Sequence, residues 1–159
     1  MDKRTRAIMG GIFVIILCTI GFVIHQWNLR KAEKIVTAAE RLYPLLADAD
    51  FDGIEIYESE NRISLYKYIK KSEQSSVLVR KEIASLSLDD ASIQDAQLFK
   101  NIMDYCGGIF FATNLNWNAE WSGLCLYPSD PSLLPSQYIS HNENEYAYWL
   151  SDIPNSIVN

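Results

Sequence analysis

Basic residues stop at Lys100; everything after it is acidic or neutral, with Asp104, Glu120, Asp130, Glu143, Glu145 and Asp152 as the charged positions. A chain with this imbalance repels nucleic acid, and it attracts cations or basic proteins. Histidine is nearly absent as well. His25 borders an apolar run and His141 lies in the polar stretch Ser140-His141-Asn142-Glu143. With two histidines, and no Gly-x-Ser-x-Gly, His-x-x-x-His or glycine-rich phosphate loop, nucleophilic and zinc-dependent catalysis lack their usual groups. Three cysteines and no repeat or low-complexity tract complete the list of what is scarce.

Apolar residues are not scarce. They make up 48% of the 159 positions, against 21% charged, which is the composition of a folding chain. Ala7 to Ile24 reads AIMGGIFVIILCTIGFVI, without a charge or a side-chain amide. As a helix this run spans roughly 27 Å, close to the thickness of a bilayer's hydrocarbon. A helix also satisfies its own backbone polar groups in lipid. His25-Gln26-Trp27 follows, with Trp27 where an interfacial aromatic belt sits. A cleaved signal would have a shorter apolar core and a small-x-small site, and His25 to Arg30 offers none. Leu17 before Cys18 argues against a lipoprotein signal, so Cys18 reads as a lipid-facing or packed thiol. A buried core helix fits poorly with apolarity all round.

The expectation is therefore a signal-anchor and a single-pass membrane protein: a stub over 1–6, a transmembrane helix over 7–27 and lipid contact through 7–24. Lys3, Arg4 and Arg6 abut the apolar run directly, whereas Arg30, Lys31, Lys34 and Arg41 stand further from it. The positive-inside tendency then puts the N-terminus in the cytoplasm and the rest in a periplasmic or extracellular space. Gly10, Gly11 and Gly21 also permit close helix packing, which suggests an assembly factor acting through this helix.

From Asn28 to Ala47, apolar residues recur at steps of three and four, predicting an amphipathic helix that Pro44 bends or ends. Residues 48–159 read as one globular acidic α+β domain with a mostly antiparallel sheet, built from two hairpins or a meander plus a hairpin, and one or two packed helices. Strands are expected over 54–58, 62–69, 76–83, 109–116 and 121–127. A helix is expected from Asp89-Asp90 to about Cys106, ended by Gly107-Gly108, and a shorter one over 144–153.

Three constellations carry chemistry. Asp48-Ala49-Asp50-Phe51-Asp52-Gly53 matches the first half of an EF-hand-like loop, making calcium the candidate cation. The second half departs from that pattern: Ser59 stands where a bidentate Glu belongs, and Glu55 stands at an apolar position. The alternative is a solvated acidic turn. Cys106 and Cys125 would close a short loop as a disulfide in an oxidising compartment, worth roughly 3 kcal/mol by chain entropy. Two separately buried thiols are the alternative. Trp117, Glu120 and Trp121, with Asn116 and Asn118, make a loop of the kind that grips sugars or cations. A glycosidase would need a second carboxylate at a controlled separation from Glu120. Otherwise the tryptophans cap the core at a hairpin end.

After Ile24 the chain holds 11 Lys/Arg against 19 Asp/Glu, a net of −8, and ten aromatic residues lie from Tyr105 onward. The leading expectation is a membrane-anchored, non-enzymatic binding module that engages a basic protein or peptide, as an envelope-complex subunit or an inhibitor or immunity-type protein would. The rival is a carbohydrate-binding or carbohydrate-active domain using Glu120.

Overall fold

A computed structural model describes residues 3–71, 77–115, 120–134, 139–140 and 147–154, with side chains described over 12–71, 77–115, 120–130 and 132–134. The chain forms two units, residues 1–35 and 36–159. Helix α1 is Lys3–Leu46. Within it, Ile12 to Leu46 is long and apolar enough to cross a membrane, and its most apolar 18-residue stretch has no residue buried by protein. Ile15 is 66% exposed and Phe13 61%. A helix that presents isoleucine and phenylalanine on every side is suited to an apolar surrounding such as lipid. This composition and length fit a single-pass membrane protein.

In the second unit, Ala38, Ala39, Leu42 and Leu46 of α1 are fully buried, while Glu40 and Arg41 stay exposed. Their spacing of three and four puts the buried set on one stripe. Pro44 sits in the last turn, where its missing N–H costs one bond, and the helix stops two residues later.

Strands β1 (Gly53–Tyr57), β2 (Arg62–Lys70) and β3 (Leu78–Ser87) form an antiparallel meander. Between β1 and β2, Asn61 takes φ 47°, a left-handed turn that asparagine tolerates. Helix α2 is short, Asp90–Ala96, and Asp89 caps it by accepting the Ser92 N–H at 2.7 Å. The helix expected to run on to Cys106 is instead followed by strand β4, Asn101–Tyr105. Ile93, Leu98, Ile102 and Met103 suit helical spacing, but Cys106 and Gly107 take φ 53° and 67°. Two consecutive left-handed residues make a tight hairpin turn, which folds β4 back on β5 (Gly108–Leu115) and gives its backbone a ladder.

Strand β6 (Glu120–Leu126) pairs with β5, and β8 (Ala147–Pro154) pairs with β6 and with the two-residue β7 (Ile139–Ser140). The second sheet thus runs β4-β5-β6-β8-β7, all antiparallel. β8 overturns the helix expected over 144–153, of which 144–146 lie outside the described residues. Trp149, Leu150 and Ile153 also fit a helix, yet β6 needs a partner on its second edge. An unpaired inner strand would cost several hydrogen bonds.

β5 is the centre. Gly108 to Ala112 are buried without interruption, as a strand covered on both faces requires. Phe110 and Ala112 share one face with Met103, Tyr105, Cys125 and Leu134. Phe111, on the other face, packs on Phe99 with ring centroids 5.0 Å apart. The chain is therefore α+β: one long apolar helix, two antiparallel sheets and a short second helix.

Candidate functional site

The turn after α1 decides whether Asp48, Asp50 and Asp52 can hold a cation. Asp50, on the surface, forms an ion pair with Lys67 of β2. Asp52 Oδ2 accepts the Tyr68 N–H at 2.6 Å, tying the start of β1 to β2. Gly53, which would be the turning glycine of a calcium loop, is the first residue of β1. The Tyr66 ring lies directly over it, so an added Cβ would stand 2.6 Å from the ring carbon Cζ. The Asp-Gly pair thus serves strand registry and ring packing. Among the described residues, no group of three or more His, Cys, Asp and Glu is gathered so as to hold a metal ion.

These aspartates nonetheless belong to a larger acidic surface. Asp104, on β4, stands beside them because its N–H donates to Phe51 O at 3.3 Å. Although Asp104 is exposed, the protein behind it removes enough water to raise its carboxyl above the usual range. Asp50, and more weakly Asp52, push the same way, opposed by the Gly107 N–H and Lys67. Asp104 and Asp130 both act on Cys106, whose thiol is raised mainly by burial. Asp48 acts on Tyr43, raised chiefly by burial, and the Tyr43 ring lies 4.5 Å from that of the exposed Tyr127. Asp50, Asp52 and Asp104 are thus neighbours, Asp130 and Asp104 both act on Cys106, Asp48 acts on Tyr43, and among the described residues Lys67 is the cation ion-paired to this group. Asp104 and Asp130 are missed by sequence reasoning as members of this group. The signal available, acids without bases after Lys100, gives no pairing between strands.

Asp104 yields a pH prediction. A carboxyl raised in the folded state holds its proton to higher pH than in the unfolded chain. Its contribution to stability is largest in acid and is lost as pH rises through that raised value. Asp104→Asn is expected to raise Tm at pH 7 and to leave it unchanged near pH 3, where both states are protonated (about the foot of the carboxylate range). Thermal melts at the two pH values check this.

The expected Cys106–Cys125 disulfide is not formed: both cysteines are free thiols. Cys106 sits in the β4–β5 turn with Sγ 3.6 Å from Leu133 O, whereas buried Cys125 points at Tyr105 O, 3.9 Å away. The two thiols are thus turned to different carbonyl groups, and no bond joins them. Burial pushes the Cys125 thiol up to about 12. Alkylation of the denatured, unreduced chain is expected to label all three cysteines. In the native chain Cys125 stays unlabelled near neutral pH.

Trp117, Asn116 and Asn118 lie outside the described residues, as does His141. Glu120, half-buried, opens β6 opposite Pro154. Trp121, also half-buried, packs against the cluster of Met103, Phe110 and Cys125. Trp121 thus contributes to the core at the hairpin end.

One further buried charge matters for integrity. Asp95 of α2 is 6% exposed and faces Arg41 of α1, whose Nη2 donates to Oδ1 at 3.3 Å. Arg41 Nε lies 3.1 Å from Oδ2 but directs its hydrogen at Thr37 O, so Oδ2 is held by charge without a hydrogen bond. This pair fastens α2 to the end of α1.

Comparison with family models, with curated proteins and with solved structures finds no match for the chain.

Proposed function

We propose that the chain is a membrane-anchored binding module whose acidic surface engages a basic protein or peptide, with the N-terminus in the cytoplasm and the domain outside. The observation that carries this is the nearness of Asp50 and Asp52 to Asp104, with Asp130 acting together with Asp104 on Cys106, Asp48 acting on Tyr43, and Lys67 ion-paired to Asp50. Asp50 and Asp52 push the Asp104 carboxyl up, and an incoming lysine or arginine would relieve that repulsion. An envelope-complex subunit and an inhibitor or immunity-type protein both fit this chemistry.

The test is a pull-down from detergent extracts with the full chain, at low and high salt. A partner held at low salt and released when screening shortens to a few ångströms, about 3 Å at 1 M, supports the reading. No partner at low salt, or one indifferent to salt, contradicts it. A second reading makes Glu120 an acid at a carbohydrate site. In its favour, Glu120 is half-buried at the start of β6, and such a site would need a second carboxylate at a controlled separation. Retention on insoluble glycans regardless of salt would favour that reading over the first.

A further inference from the structure

The β2–β3 hairpin outruns the core beneath it. Ile63 and Leu65 of β2 are each 1% exposed. The pairing then shifts register beyond Leu65, where Ile83 is the extra residue on β3. Past that bulge the same face of β2 carries Lys67 and Ile69, and β3 sets Lys81 and Val79 opposite them. Lys71 N donates to Val77 O, extending the ladder one step. Here the cover ends: Val77 is 57% exposed, and Ile69, Val79 and Ile83 are each more than 40% exposed.

The opposite face carries polar and aromatic side chains that engage one another, with Tyr68 and Leu78 exposed there as well. Arg80 stacks on Tyr66 and pairs with Glu55, Tyr66 meets Tyr68 edge to face, and Ser64 donates to Glu82 at 2.8 Å. No described residue forms an ion pair with Lys71 or Lys81. Lysines on an edge strand discourage pairing with other strands, but that purpose does not call for four uncovered aliphatic side chains beside them.

Charge identifies the occupant. Of the five basic residues from Lys67 to Lys81, Lys67 pairs with Asp50, Arg80 pairs with Glu55 and Lys70 lies on the other face, which leaves Lys71 and Lys81 as the cations of this face without an ion-pair partner among the described residues. The rest of the chain after Ile24 has six basic and eighteen acidic, a net of −12. We infer that the face bearing Ile69, Val79, Lys71 and Lys81 docks on the anionic headgroups of the bilayer in which the chain is anchored. Lysine ammonium groups meet lipid phosphates, and the β-branched side chains enter the boundary between headgroups and acyl chains. This rests on the anchored reading of α1, which supplies the bilayer at high effective concentration whatever the abundance of soluble partners. The same surface repels the acidic remainder, leaving that remainder free for a basic partner.

The full-length chain in lipid nanodiscs tests this by amide hydrogen exchange. One set of discs contains phosphatidylcholine alone; the other contains one phosphatidylglycerol for every two phosphatidylcholines. Peptides covering 67–71 and 77–83 are expected to exchange about 25-fold more slowly in the anionic discs, given about fivefold in binding for each of the two lysines at the surface. Peptides over 102–112 should not change. The Lys71→Glu, Lys81→Glu double variant should abolish the difference, with exchange over 102–112 reporting that the fold is intact. Equal exchange in both discs overturns the inference. So does slowing that follows protein concentration and ignores lipid, which would mark a second copy as the occupant. A chain that never enters discs contradicts the anchor as well, and thereby separates the two failures.

Discussion

Phe110→Ala is expected to lower the unfolding free energy by about 3–5 kcal/mol, the usual range for emptying a buried phenylalanine site. Phe110 is fully buried on the central strand β5, in one cluster with Met103, Tyr105, Ala112, Cys125 and Leu134, and its ring lies 6.0 Å from that of Tyr105. β-Strand neighbours on both sides fix the backbone, so the cavity cannot close by local collapse. Leu133→Ala is the matched control, because Leu133 is 63% exposed and its removal should change stability by no more than about 0.5 kcal/mol. Urea denaturation of the two variants in detergent measures the contrast. A small loss for Phe110 would mean that the second sheet is not the core.

The second large effect concerns α1. Ile15→Arg with Ile16→Arg places two cations at the middle of the apolar run, where each costs about 2.5–3.5 kcal/mol on insertion scales. Together they are expected to move the chain out of the membrane fraction. Both residues are already exposed, Ile15 at 66% and Ile16 at 49%. If water surrounded this helix, arginine there would be harmless, so unchanged partitioning of the double variant would reject lipid as its solvent.

What was legible in the sequence follows from which signals are local. The apolar run to Ile24 is read from composition alone. The alternation in 54–58 and 62–69 gives β1 and β2 directly, with Ile63 and Leu65 on the buried side of β2. The uninterrupted Gly108-Ile109-Phe110-Phe111-Ala112 shows itself as a strand covered on both sides. Failures arise where long-range pairing overrides local spacing. Ile102 and Met103 sit as well on a helix as on β4, and only the turn at Cys106-Gly107 with its β5 partner decides between them. The same holds for Trp149 and Leu150 of β8, whose strand exists because β6 has a second edge.

The candidate sites divide in the same way. Asp50 and Asp52 were visible as a pattern, but their partners Lys67 and the Tyr68 N–H lie on another strand. Cys106 and Cys125 do pack on one cluster, but their thiols turn to different carbonyls, an orientation that chain separation does not reveal. Asp104 joins the acidic surface only through its contact with Phe51, which no local pattern announces.

Alkaline carbonate extraction of membranes, followed by the intact mass of the recovered protein, tests the membrane anchor most directly. The chain with all 159 residues is expected in the carbonate-resistant pellet. A shortened form beginning beyond Ile24, recovered in the supernatant, would contradict the account.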